Sequence, residues 1–536
     1  MEDGKAGPYP QLGEQEFKRR LAGASGIWLP AYDQDRLPQL FADDDPNTLS
    51  DFQRELRRIV ADGGAVGALG GGASSLPETV IAGDADFEHG WIRAQLRFGL
   101  DLFHGAVVDQ NFSSRTGRLE RMTDLLRVGV RLNRLDGVPG IERRTIGLGV
   151  DRYTAMILER NTVRVNGEGK GHVFLKSSGD RTVTWRTIEA GMPPLVIKTG
   201  LDPADAAGRK LSRADNPFGM PAPADGRPWG TVVLHGGGST GEIMNLYPKL
   251  AAAHPDLKPN ELPRFVHCPA AIRSRLLSAI VGDYSDEVRR HRHQERLNTI
   301  FADWKEMETD AENRRFASVT LAAPDDDRTL GQADDPKFVE PLTTAHAVWF
   351  SGGDHAILAK LFVNQASTAA PTKFQQAVVD VVARGGVVGG TSAGLAIMPS
   401  VIIADETRDG GRPRKADLQL GFDVLQNVFA EQHFDARTGR IERFTEQLRS
   451  PEWPTGAKPV ERPERMIGIA VEEDTALLLQ GDRVRVSGAK SAHLFLLGKE
   501  RRTVTWHALK SGDAATVLQN AAGEFVLELE DWRFGD

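Results

Sequence analysis

The chain contains two copies of one sequence pattern, separated by a nearly constant distance. The segment Arg181–Trp185, RTVTW, recurs as Arg502–Trp506, 321 positions later (502 − 181). The segment Arg115–Arg118, RTGR, recurs as Arg437–Arg440 at an offset of 322 (437 − 115). Shorter matches at the same spacing pair Val163–Val165 with Val484–Val486, His172 with His493, Trp28 with Trp349 and Asp33 with Asp354. Several matched blocks at one offset indicate a duplication, so we expect two related halves.

The two copies differ in length, and the later one carries more secondary structure. Its strand-like runs are Thr231–Leu234, Phe265–Val266, Ser318–Leu321 and Val348–Phe350, and helical stretches such as Ile272–Val281 and Glu287–Trp304 lie between them. This alternation predicts an α/β fold with a mostly parallel sheet flanked by helices. Only residues 1–26 precede the matching Ile27 of the early copy, which therefore has no room for the first three strands. We expect a truncated early domain (1–201), a Pro/Gly/Asp-rich linker (202–228) and a complete domain (229–536).

Charge and cysteine content exclude several classes of protein. The 536-residue chain has a net charge of −8, which argues against a nucleic-acid partner because such partners require a basic face. No apolar run approaches the roughly 18 residues that span a bilayer, so we expect no membrane partner. Cys268 is the only cysteine, which excludes intrachain disulfides and cysteine zinc cages, and we interpret it as a buried core thiol. The acidic start, Met1–Gly4, predicts a cytoplasmic protein unless a signal peptide was removed. We expect no cofactor and no metal.

A glycine-rich turn around Ser392 is the first candidate for chemistry. The short apolar strand Gly385–Gly390 leads into Thr391, Ser392, Ala393 and Gly394, after which Leu395–Met398 can begin a helix. A strand–turn–helix of this kind strains the serine backbone and raises its hydroxyl above the sheet edge. The N–H groups at the helix start can stabilise an oxyanion. The alternatives are a phosphate-binding glycine-rich loop or a tight connection without a function.

A nucleophilic serine needs a base and an acid that orients the base. His433, in the segment Glu431–Phe434, is the best base among the 13 histidines, although a histidine in this position can also be structural. Glu473 follows the predicted strand Ile467–Val471 and is the candidate acid that sets the imidazole tautomer. Taken alone, its acidic surroundings would equally suit a solvated turn.

The duplication provides an internal comparison for these three residues. Ser392 aligns with Gly70, His433 with Asn111 and Glu473 with Arg152, and none of the early residues can perform the same chemistry. Neighbouring positions, among them Gln110, Phe112, Arg115 and Arg118, are the same in both copies. Joint loss of all three is expected if they act as a unit, which favours a catalytic late copy and an inactive early copy.

The motifs of the late copy resemble those of peptidase family S51, the cyanophycinase and aspartyl dipeptidase group. They are Gly236–Gly238, Phe350–Asp354, Gly389–Gly394, Gln432–Phe434 with the arginines after it, and Gly468–Ala476, within residues 229 to 510. The resemblance implies a sheet like that of class I glutamine amidotransferases, which is flavodoxin-like, with serine in place of their cysteine. It implies a Ser–His–Glu triad and cleavage beside aspartyl residues. It also implies oxyanion donors and substrate contacts, which are the backbone N–H groups of Gly353 and Ala393 and the side chains of Asp354, His355 and Gln432.

Three arginines follow the candidate base. Arg437, Arg440 and Arg443 recur every three residues and can share one helix face near His433. Guanidinium groups pair bidentately with carboxylates, so we predict that they bind an acidic substrate side chain. The alternative is a solvated basic face paired with neighbouring glutamates.

The sequence also departs from the family pattern. His355 stands where glutamine is usual, Glu431 stands where cyanophycinases tend to have aspartate, and one extra residue separates Arg437 from Arg440. These differences concern the surroundings of the substrate more than the triad. They weaken the assignment of the substrate and leave the chemistry of the serine unaffected.

The leading hypothesis is a cyanophycinase-like serine peptidase that hydrolyses aspartyl or β-aspartyl peptide bonds through an acyl-enzyme. A small α-aspartyl or isoaspartyl dipeptidase is the alternative within the family. An amidotransferase-like domain is disfavoured because the turn carries no cysteine, and a non-catalytic binding protein fits only the early half. We predict that the early half packs on the late half as an intrachain pseudo-dimer, and a homo-oligomer is possible.

Overall fold

A computed structural model of the chain describes residues 14–31, 33–34, 36–41, 49–84, 94–114, 117–128, 146–176, 182–197, 211–223, 226–269, 271, 286–310, 312, 314–323, 333–364, 370–409, 412–434, 440–449, 466–498 and 501–530. The fold is mixed α/β, with several sheets and flanking helices. Two compact units are present, Met1–Ala207 with Arg502–Thr505 and Gly208–Arg501 with Trp506–Asp536. Within these ranges no helix is long and apolar enough to span a membrane.

The first unit combines short helices with several small strands. Its helices are α1 (Glu14–Ala22), α2 (Arg36–Phe41), α3 (Asp51–Ala61), α4 (Gly71–Ser75) and α5 (Arg118–Val128), with a 3₁₀ turn at Phe112–Ser114. Its strands are β1 (Gly26–Ala31), β2 (Ala65–Gly70), β3 (Pro77–Asp84), β4 (Ala94–Phe98), β5 (Phe103–Gln110), β6 (Ile146–Val150), β7 (Thr154–Glu159), β8 (Thr162–Gly167), β9 (Lys170–Lys176), β10 (Thr182–Glu189) and β11 (Leu195–Val196).

The strands of the first unit form three groups. β1 and β2 make a parallel pair. β10, β9, β6, β5, β3 and β4 are neighbours in that order, and β11, β8 and β7 form an antiparallel sheet. Among the described residues, β1 and β2 have no further strand beside them.

The second unit contains the larger number of elements. Its helices are α6 (Gly241–Ala252), α7 (Asp286–Thr309), α8 (Pro336–Thr343), α9 (His355–Phe362), α10 (Lys373–Ala383), α11 (Ala393–Ala396) and α12 (Arg440–Arg449). Its strands are β12 (Ser212–Arg213), β13 (Thr231–His235), β14 (Arg264–Cys268), β15 (Ser318–Leu321), β16 (Ala347–Phe350), β17 (Val387–Thr391), β18 (Val401–Asp409), β19 (Arg412–Leu420), β20 (Val428–Glu431), β21 (Ile467–Val471), β22 (Thr475–Gln480), β23 (Arg483–Gly488), β24 (Ser491–Leu497), β25 (Thr503–Lys510, which belongs to this unit from Trp506 onward), β26 (Ala514–Gln519) and β27 (Phe525–Glu530).

A parallel sheet forms the centre of the second unit. Strands β13, β17, β16, β14 and β15 lie side by side in that order, and every described neighbour pair among them is parallel. All residues of β13 and β16 are buried, as expected for strands covered by helices on both faces. The antiparallel strand β22 extends this sheet beside β13. The carboxyl ends of β13, β16 and β17 therefore meet at one edge, where ligands of open α/β sheets usually bind.

A second group of strands brings two further chain segments to the same unit. β20 and β21 pair in parallel, with Glu431 opposite Ala470, and β24 runs antiparallel to β21. Because the two parallel strands end at the same level, the segments that follow Glu431 and Val471 emerge next to each other. β18 and β19 form a separate antiparallel hairpin.

Aromatic side chains fill the space between the parallel sheet and its helices. The Trp349 ring on β16 lies 5.1 Å from the Tyr247 ring of α6 and 5.9 Å from the Trp304 ring of α7, measured between centroids. The Tyr247 hydroxyl donates to the backbone oxygens of Val348 and Val387, the latter at 3.2 Å. This hydroxyl thus has acceptors although the ring is buried, as buried tyrosines require.

The four strands predicted for the late copy are present as β13 to β16, and the predicted helix 287–304 lies within α7. The predicted helix 272–281 lies outside the described residues. The predicted linker, residues 202–228, differs from the structure in its second part. β12 pairs with β26 inside the second unit, and Phe218 and Met220 are buried in its core. Two large apolar side chains within a Pro/Gly/Asp-rich stretch are the physical reason for this difference.

Local structures also recur at the offset of the sequence repeat. The α3 N-cap is a capping box of Ser50 and Gln53, and the Gln53 amide donates to the Gly99 oxygen at 3.3 Å. The α10 N-cap is a capping box of Thr372 and Gln375, whose amide donates to the Gly421 oxygen at 3.0 Å. Each of these residues lies 322 positions after its counterpart. Positive φ angles recur likewise at Gly63 and Gly385, Asp101 and Asp423, Asn111 and His433, and Tyr153 and Asp474. These recurrences follow the offset of the matched sequence blocks.

Candidate active site

Ser392 lies in a strained turn between β17 and α11. Its backbone angles are φ 51° and ψ −110°, a combination that is costly for a residue with a side chain. Glycines allow the tight packing around it. A Cβ on Gly390 would lie 2.5 Å from the Gly394 backbone, and one on Gly394 would lie 2.2 Å from the Phe350 oxygen. The Ser392 N–H donates to the His235 oxygen at 2.9 Å, which fixes the turn to the end of β13.

The structure brings Ser392, His433 and Glu473 together in one hydrogen-bonded chain. The Ser392 Oγ lies 2.7 Å from His433 Nε2, and His433 Nδ1 lies 2.7 Å from Glu473 Oε1. A carboxylate accepts from Nδ1–H, so the neutral imidazole presents Nε2 as an acceptor for the serine proton. The His433 and Glu473 side chains are 20% and 33% exposed, which leaves the group accessible from solvent. This arrangement can activate a serine hydroxyl.

The glycine turn after β13 supports the histidine. The Gly236 oxygen accepts the His433 N–H at 2.8 Å, and His433 has a positive φ of 50°. A Cβ on Gly237 would lie 2.1 Å from the His433 ring, so only glycine leaves room for the imidazole at this position. The Gly237 oxygen in turn accepts the Asp474 N–H at 2.8 Å. The same turn therefore contacts both the histidine and the segment that carries Glu473.

The segment after β16 lies against the serine. A Cβ on Gly352 would be 3.2 Å from the Ser392 Cβ, and the next residue, Gly353, has a φ of 143°. Ala393 is the first residue of α11 and is buried, and an N–H at this position has no acceptor within its helix. The two backbone positions predicted as oxyanion donors, Gly353 and Ala393, thus lie on the two segments that meet at Ser392.

Two of the side chains predicted to contact the substrate form hydrogen bonds within the protein. The Asp354 carboxylate caps α9 by accepting from the Ala356 N–H at 3.0 Å. His355 Nε2 lies 2.8 Å from the Ile403 oxygen on β18. These bonds give both side chains a role in holding local structure. Gln432 is half-buried, and Arg437 lies outside the described residues.

The surroundings of Arg440 and Arg443 differ from those predicted for residues that bind an acidic substrate. Their side chains are 4% and 6% exposed, and both donate to the buried carboxylate of Glu431. Arg440 also donates to the Gln432 oxygen. Burial lowers the pKa of Arg443 to about 10, which leaves it charged at neutral pH. The two arginines do not form the predicted alternative, a solvated basic face, either. Both guanidinium groups are buried and pair with the carboxylate of Glu431 on β20.

The early copy contains the same ionic cluster. Arg118 and Arg121 both pair with the buried Asp109, the latter at 2.6 Å, and these three residues lie 322 positions before Arg440, Arg443 and Glu431. An arrangement that occurs both with and without the three candidate residues is best explained by folding. We therefore interpret the arginines as residues that position the strand end before His433.

The early copy also retains the backbone of the serine turn. Gly70, at the position of Ser392, has φ 59° and ψ −131° and precedes α4 as Ser392 precedes α11. Asn111, at the position of His433, has a φ of 52°. Arg152, at the position of Glu473, is exposed. The backbone angles at Gly70 and Asn111 thus resemble those at Ser392 and His433, while the side chains differ.

Two imidazole–hydroxyl pairs near the site were not predicted from the sequence. His235 Nδ1 lies 2.8 Å from the Thr391 Oγ, and His267 Nε2 lies 2.7 Å from the Ser351 Oγ. Burial lowers the pKa of His235 to about 4 and that of His267 to about 3. In the sequence, each pair could have been recognised by a histidine at the last or next-to-last position of an apolar strand.

No group of three or more histidine, cysteine, aspartate or glutamate side chains with a metal-binding arrangement occurs in the part of the chain that the structure describes. Cys268 is a buried free thiol at the end of β14.

The chain shows distant similarity to solved structures. No protein-family model matches the chain, and no curated protein matches it. A peptidase from an acI-B1 Actinobacterium is 20% identical, with a TM-score of 0.35, and the match covers 54% of this chain and 98% of that one. A candidate peptidase E protein from Listeria monocytogenes EGD-e is 12% identical, with a TM-score of 0.27, and the match covers 49% of this chain and 100% of that one. At these TM-scores neither similarity bears on the chemistry of the site.

Proposed function

We propose that this chain is a serine hydrolase that cleaves aspartyl or β-aspartyl peptide bonds through an acyl-enzyme. One observation carries the proposal. Ser392, in a strained turn at the carboxyl edge of a parallel sheet, is joined through His433 to Glu473 by two bonds of 2.7 Å. A nucleophile, a base and an orienting acid in this order are the requirement for nucleophilic catalysis by serine.

In the acylation step, the Ser392 Oγ attacks the carbonyl carbon of the scissile bond. His433 Nε2 takes the hydroxyl proton, and Glu473 stabilises the imidazolium that forms. The developing oxyanion is stabilised by the N–H groups of Gly353 and Ala393. The C–N bond then breaks, and the imidazolium gives its proton to the departing amine. The acyl group remains on Ser392.

In the deacylation step, water replaces the amine. His433 removes a proton from the water, a C–O bond forms to the acyl carbon, and the ester bond to Ser392 breaks. The proton on His433 then returns to the Ser392 oxygen. The partial exposure of His433 and Glu473 is compatible with entry of this water.

The acidic substrate class is supported by the motif resemblance to family S51. Arg440 and Arg443 do not contribute to it, since Glu431 holds both guanidinium groups in the interior. Among the three arginines predicted to bind the substrate, this leaves Arg437. Gln432, which is half-buried and directly precedes the base, is the remaining polar side chain of the motif.

Hydrolysis of dipeptides tests the catalytic assignment. Ser392→Ala and His433→Ala should each lower kcat by about 10⁴-fold or more, because members of a triad act as a unit. Ser239→Ala is the matched control, since Ser239 is an exposed serine at the neighbouring glycine turn. The control should retain the wild-type rate. A kcat within about tenfold of wild type for either triad variant would exclude the assignment.

The substrate class is tested with β-aspartyl, α-aspartyl, asparaginyl and alanyl dipeptides, and with longer peptides of the same acyl residue. We expect Arg437→Ala to lose roughly 2–4 kcal/mol of discrimination between aspartyl and alanyl substrates, the cost of an unpaired charged partner. Arg115→Ala, at the equivalent position of the early copy, should leave kcat/KM for every substrate unchanged. Equal turnover of alanyl and aspartyl substrates by the wild type would contradict the substrate class and leave the triad untouched.

A further inference from the structure

His235 contacts both sides of the catalytic serine turn. Its backbone oxygen accepts the Ser392 N–H at 2.9 Å, and its Nδ1 lies 2.8 Å from the hydroxyl of Thr391, the residue before the serine. The same Nδ1 accepts the Gly237 N–H at 3.3 Å. One buried side chain therefore connects the nucleophile strand with the glycine turn that supports His433.

The hydrogen bonds define the protonation state of this ring. A backbone N–H can only donate, so the bond from Gly237 requires Nδ1 to be an unprotonated acceptor. The Thr391 hydroxyl is then the second donor to Nδ1. Burial lowers the pKa of His235 to about 4, although the Ser239 backbone and the Asp474 charge raise it in part and His433 lowers it further. The His235 imidazole is therefore neutral at neutral pH.

The contacts of Gly237 extend this link to the base. The His433 ring lies against Gly237, where even a Cβ would approach it to 2.1 Å. The Gly237 oxygen also holds the N–H of Asp474, next to the acid Glu473. A displacement of Gly237 would thus move the base and the acid relative to Ser392.

We propose that His235 and Thr391 are positioning residues of the catalytic centre, which set the distance between Ser392 and His433. The inference rests on the proposed function. Neither residue touches the reacting atoms, and both act through their neighbours. A displacement of about 1 Å at a reacting group can lower a rate by about 10²-fold, so a pair of hydrogen bonds at this place can control the rate.

The early copy shows that the turn itself does not need this pair. Leu69 stands at the position of Thr391 and is 62% exposed, so no hydroxyl is available there. Gly70 nevertheless adopts φ 59°, close to the 51° of Ser392. The strained backbone therefore forms without an imidazole–hydroxyl pair. The pair is present in the copy that also has the serine, the histidine and the glutamate, as expected for a role in catalysis.

Two pairs of variants of the full chain test the proposal. His235→Phe keeps a flat ring but removes the acceptor, and His235→Asn restores an acceptor near the place of Nδ1. Thr391→Val keeps the shape but removes the hydroxyl, and Thr391→Ser restores it. The measurements are kcat and KM for an aspartyl dipeptide, the rate at which a fluorophosphonate labels Ser392, and the thermal unfolding midpoint.

His235→Phe and Thr391→Val should lower kcat and the labelling rate by about 10- to 100-fold, with KM within about threefold of wild type. The double variant should lose no more than the worse single variant, because both remove the same link. His235→Asn and Thr391→Ser should recover most of the loss.

Wild-type labelling rates in folded His235→Phe and Thr391→Val would overturn the positioning role, as would losses that add in the double variant. If His235→Phe does not fold, the comparison of Thr391→Val with Thr391→Ser gives the same decision. A wild-type protein that is neither labelled nor active would overturn the proposed function itself, together with this inference. Labelling of the wild type thus tests the proposed function, whereas labelling of the variants tests the positioning role.

Discussion

Glu431 holds two guanidinium groups in the interior, two residues before His433, the base of the proposed triad. Its side chain and those of Arg440 and Arg443 are each less than a tenth exposed. Removing one member of a buried ionic cluster leaves uncompensated charge, which typically costs about 3–5 kcal/mol. Because Arg440 also donates to the oxygen of Gln432, the cluster restrains the residue next to His433.

We predict that Glu431→Gln lowers both the stability of the protein and its kcat. Asp109→Asn removes the equivalent carboxylate of the early copy and is the matched control. The control should lower stability by a similar amount, about 3–5 kcal/mol, and leave kcat/KM unchanged at temperatures where the variant is folded. Thermal unfolding and steady-state kinetics measure the two effects. If Glu431→Gln keeps kcat and raises only KM for acidic substrates, the arginines bind substrate after all.

We predict that the stability of the protein depends on pH because His267 is buried. Burial lowers its pKa from 6.5 in the unfolded chain to about 3, so the folded state holds it neutral. The contribution of neutral His267 to the free energy of unfolding is complete above pH 6.5. This contribution is lost as the pH falls towards 3, because the unfolded state then binds one more proton than the folded state. The slope approaches roughly 1.4 kcal/mol per pH unit within this window.

Unfolding free energies measured between pH 7 and pH 4 check this prediction. His267→Gln keeps a donor or acceptor for Ser351 but cannot titrate, so its stability should fall less with acid than that of the wild type. His291→Gln is the control, because the His291 side chain is 74% exposed. Identical pH profiles for the wild type and His267→Gln would show that His267 does not titrate in this way.

At the scale of elements, β16 and β1 carry equivalent tryptophans in different surroundings. Trp349 on β16 is 1% exposed and packs against Tyr247 of α6 and Trp304 of α7. Trp28 on β1 is 62% exposed. The Trp349 ring is thus covered by two helices, whereas most of the Trp28 ring is in contact with solvent.

We therefore expect Trp349→Ala to destabilise its unit by about 3–5 kcal/mol, the usual cost of removing a buried aromatic side chain. Trp28→Ala should cost less than about 1 kcal/mol, because most of its ring is already in water. Denaturant unfolding of both variants measures the difference. Similar costs for the two would mean that Trp28 is buried in solution.

The sequence predicted the parallel strands and the three residues that the structure joins at the site, but not the state of the arginines. Spacing by three places Arg440 and Arg443 on one helix face, yet it does not reveal which carboxylate of a neighbouring strand that face meets. The His235–Thr391 contact was missed for the same reason, since 156 residues separate the two partners. Local patterns determine elements, whereas pairing across elements depends on how the strands are ordered.

At the scale of the whole molecule, the boundary between the two units lies earlier than the composition predicts. The second unit begins at Gly208, and the buried Phe218 and Met220 belong to its core. Glycine, proline and aspartate dominate the composition of this stretch and conceal these two apolar residues. The docking of the early half as a partner for the late half stays a prediction.

Two fragments test this boundary. Residues 208–536 keep the segment that contains β12, Phe218 and Met220, whereas residues 229–536 lack it. We expect the shorter fragment to be less stable by several kcal/mol, since removal of one large apolar core side chain costs about 2–5 kcal/mol. Thermal unfolding of the two fragments decides the matter. Equal midpoints would show that residues 208–228 behave as a linker.

Labelling with a serine-directed fluorophosphonate tests most directly whether Ser392 is the nucleophile, because the site of attachment can be located. We predict one adduct by intact mass, located by peptide mapping on Ser392, and no adduct in Ser392→Ala. His433→Ala should be labelled at least about 10²-fold more slowly, because the base that activates the hydroxyl is missing. An adduct on another serine, or equal labelling of Ser392→Ala, would contradict the assignment of Ser392 as the nucleophile.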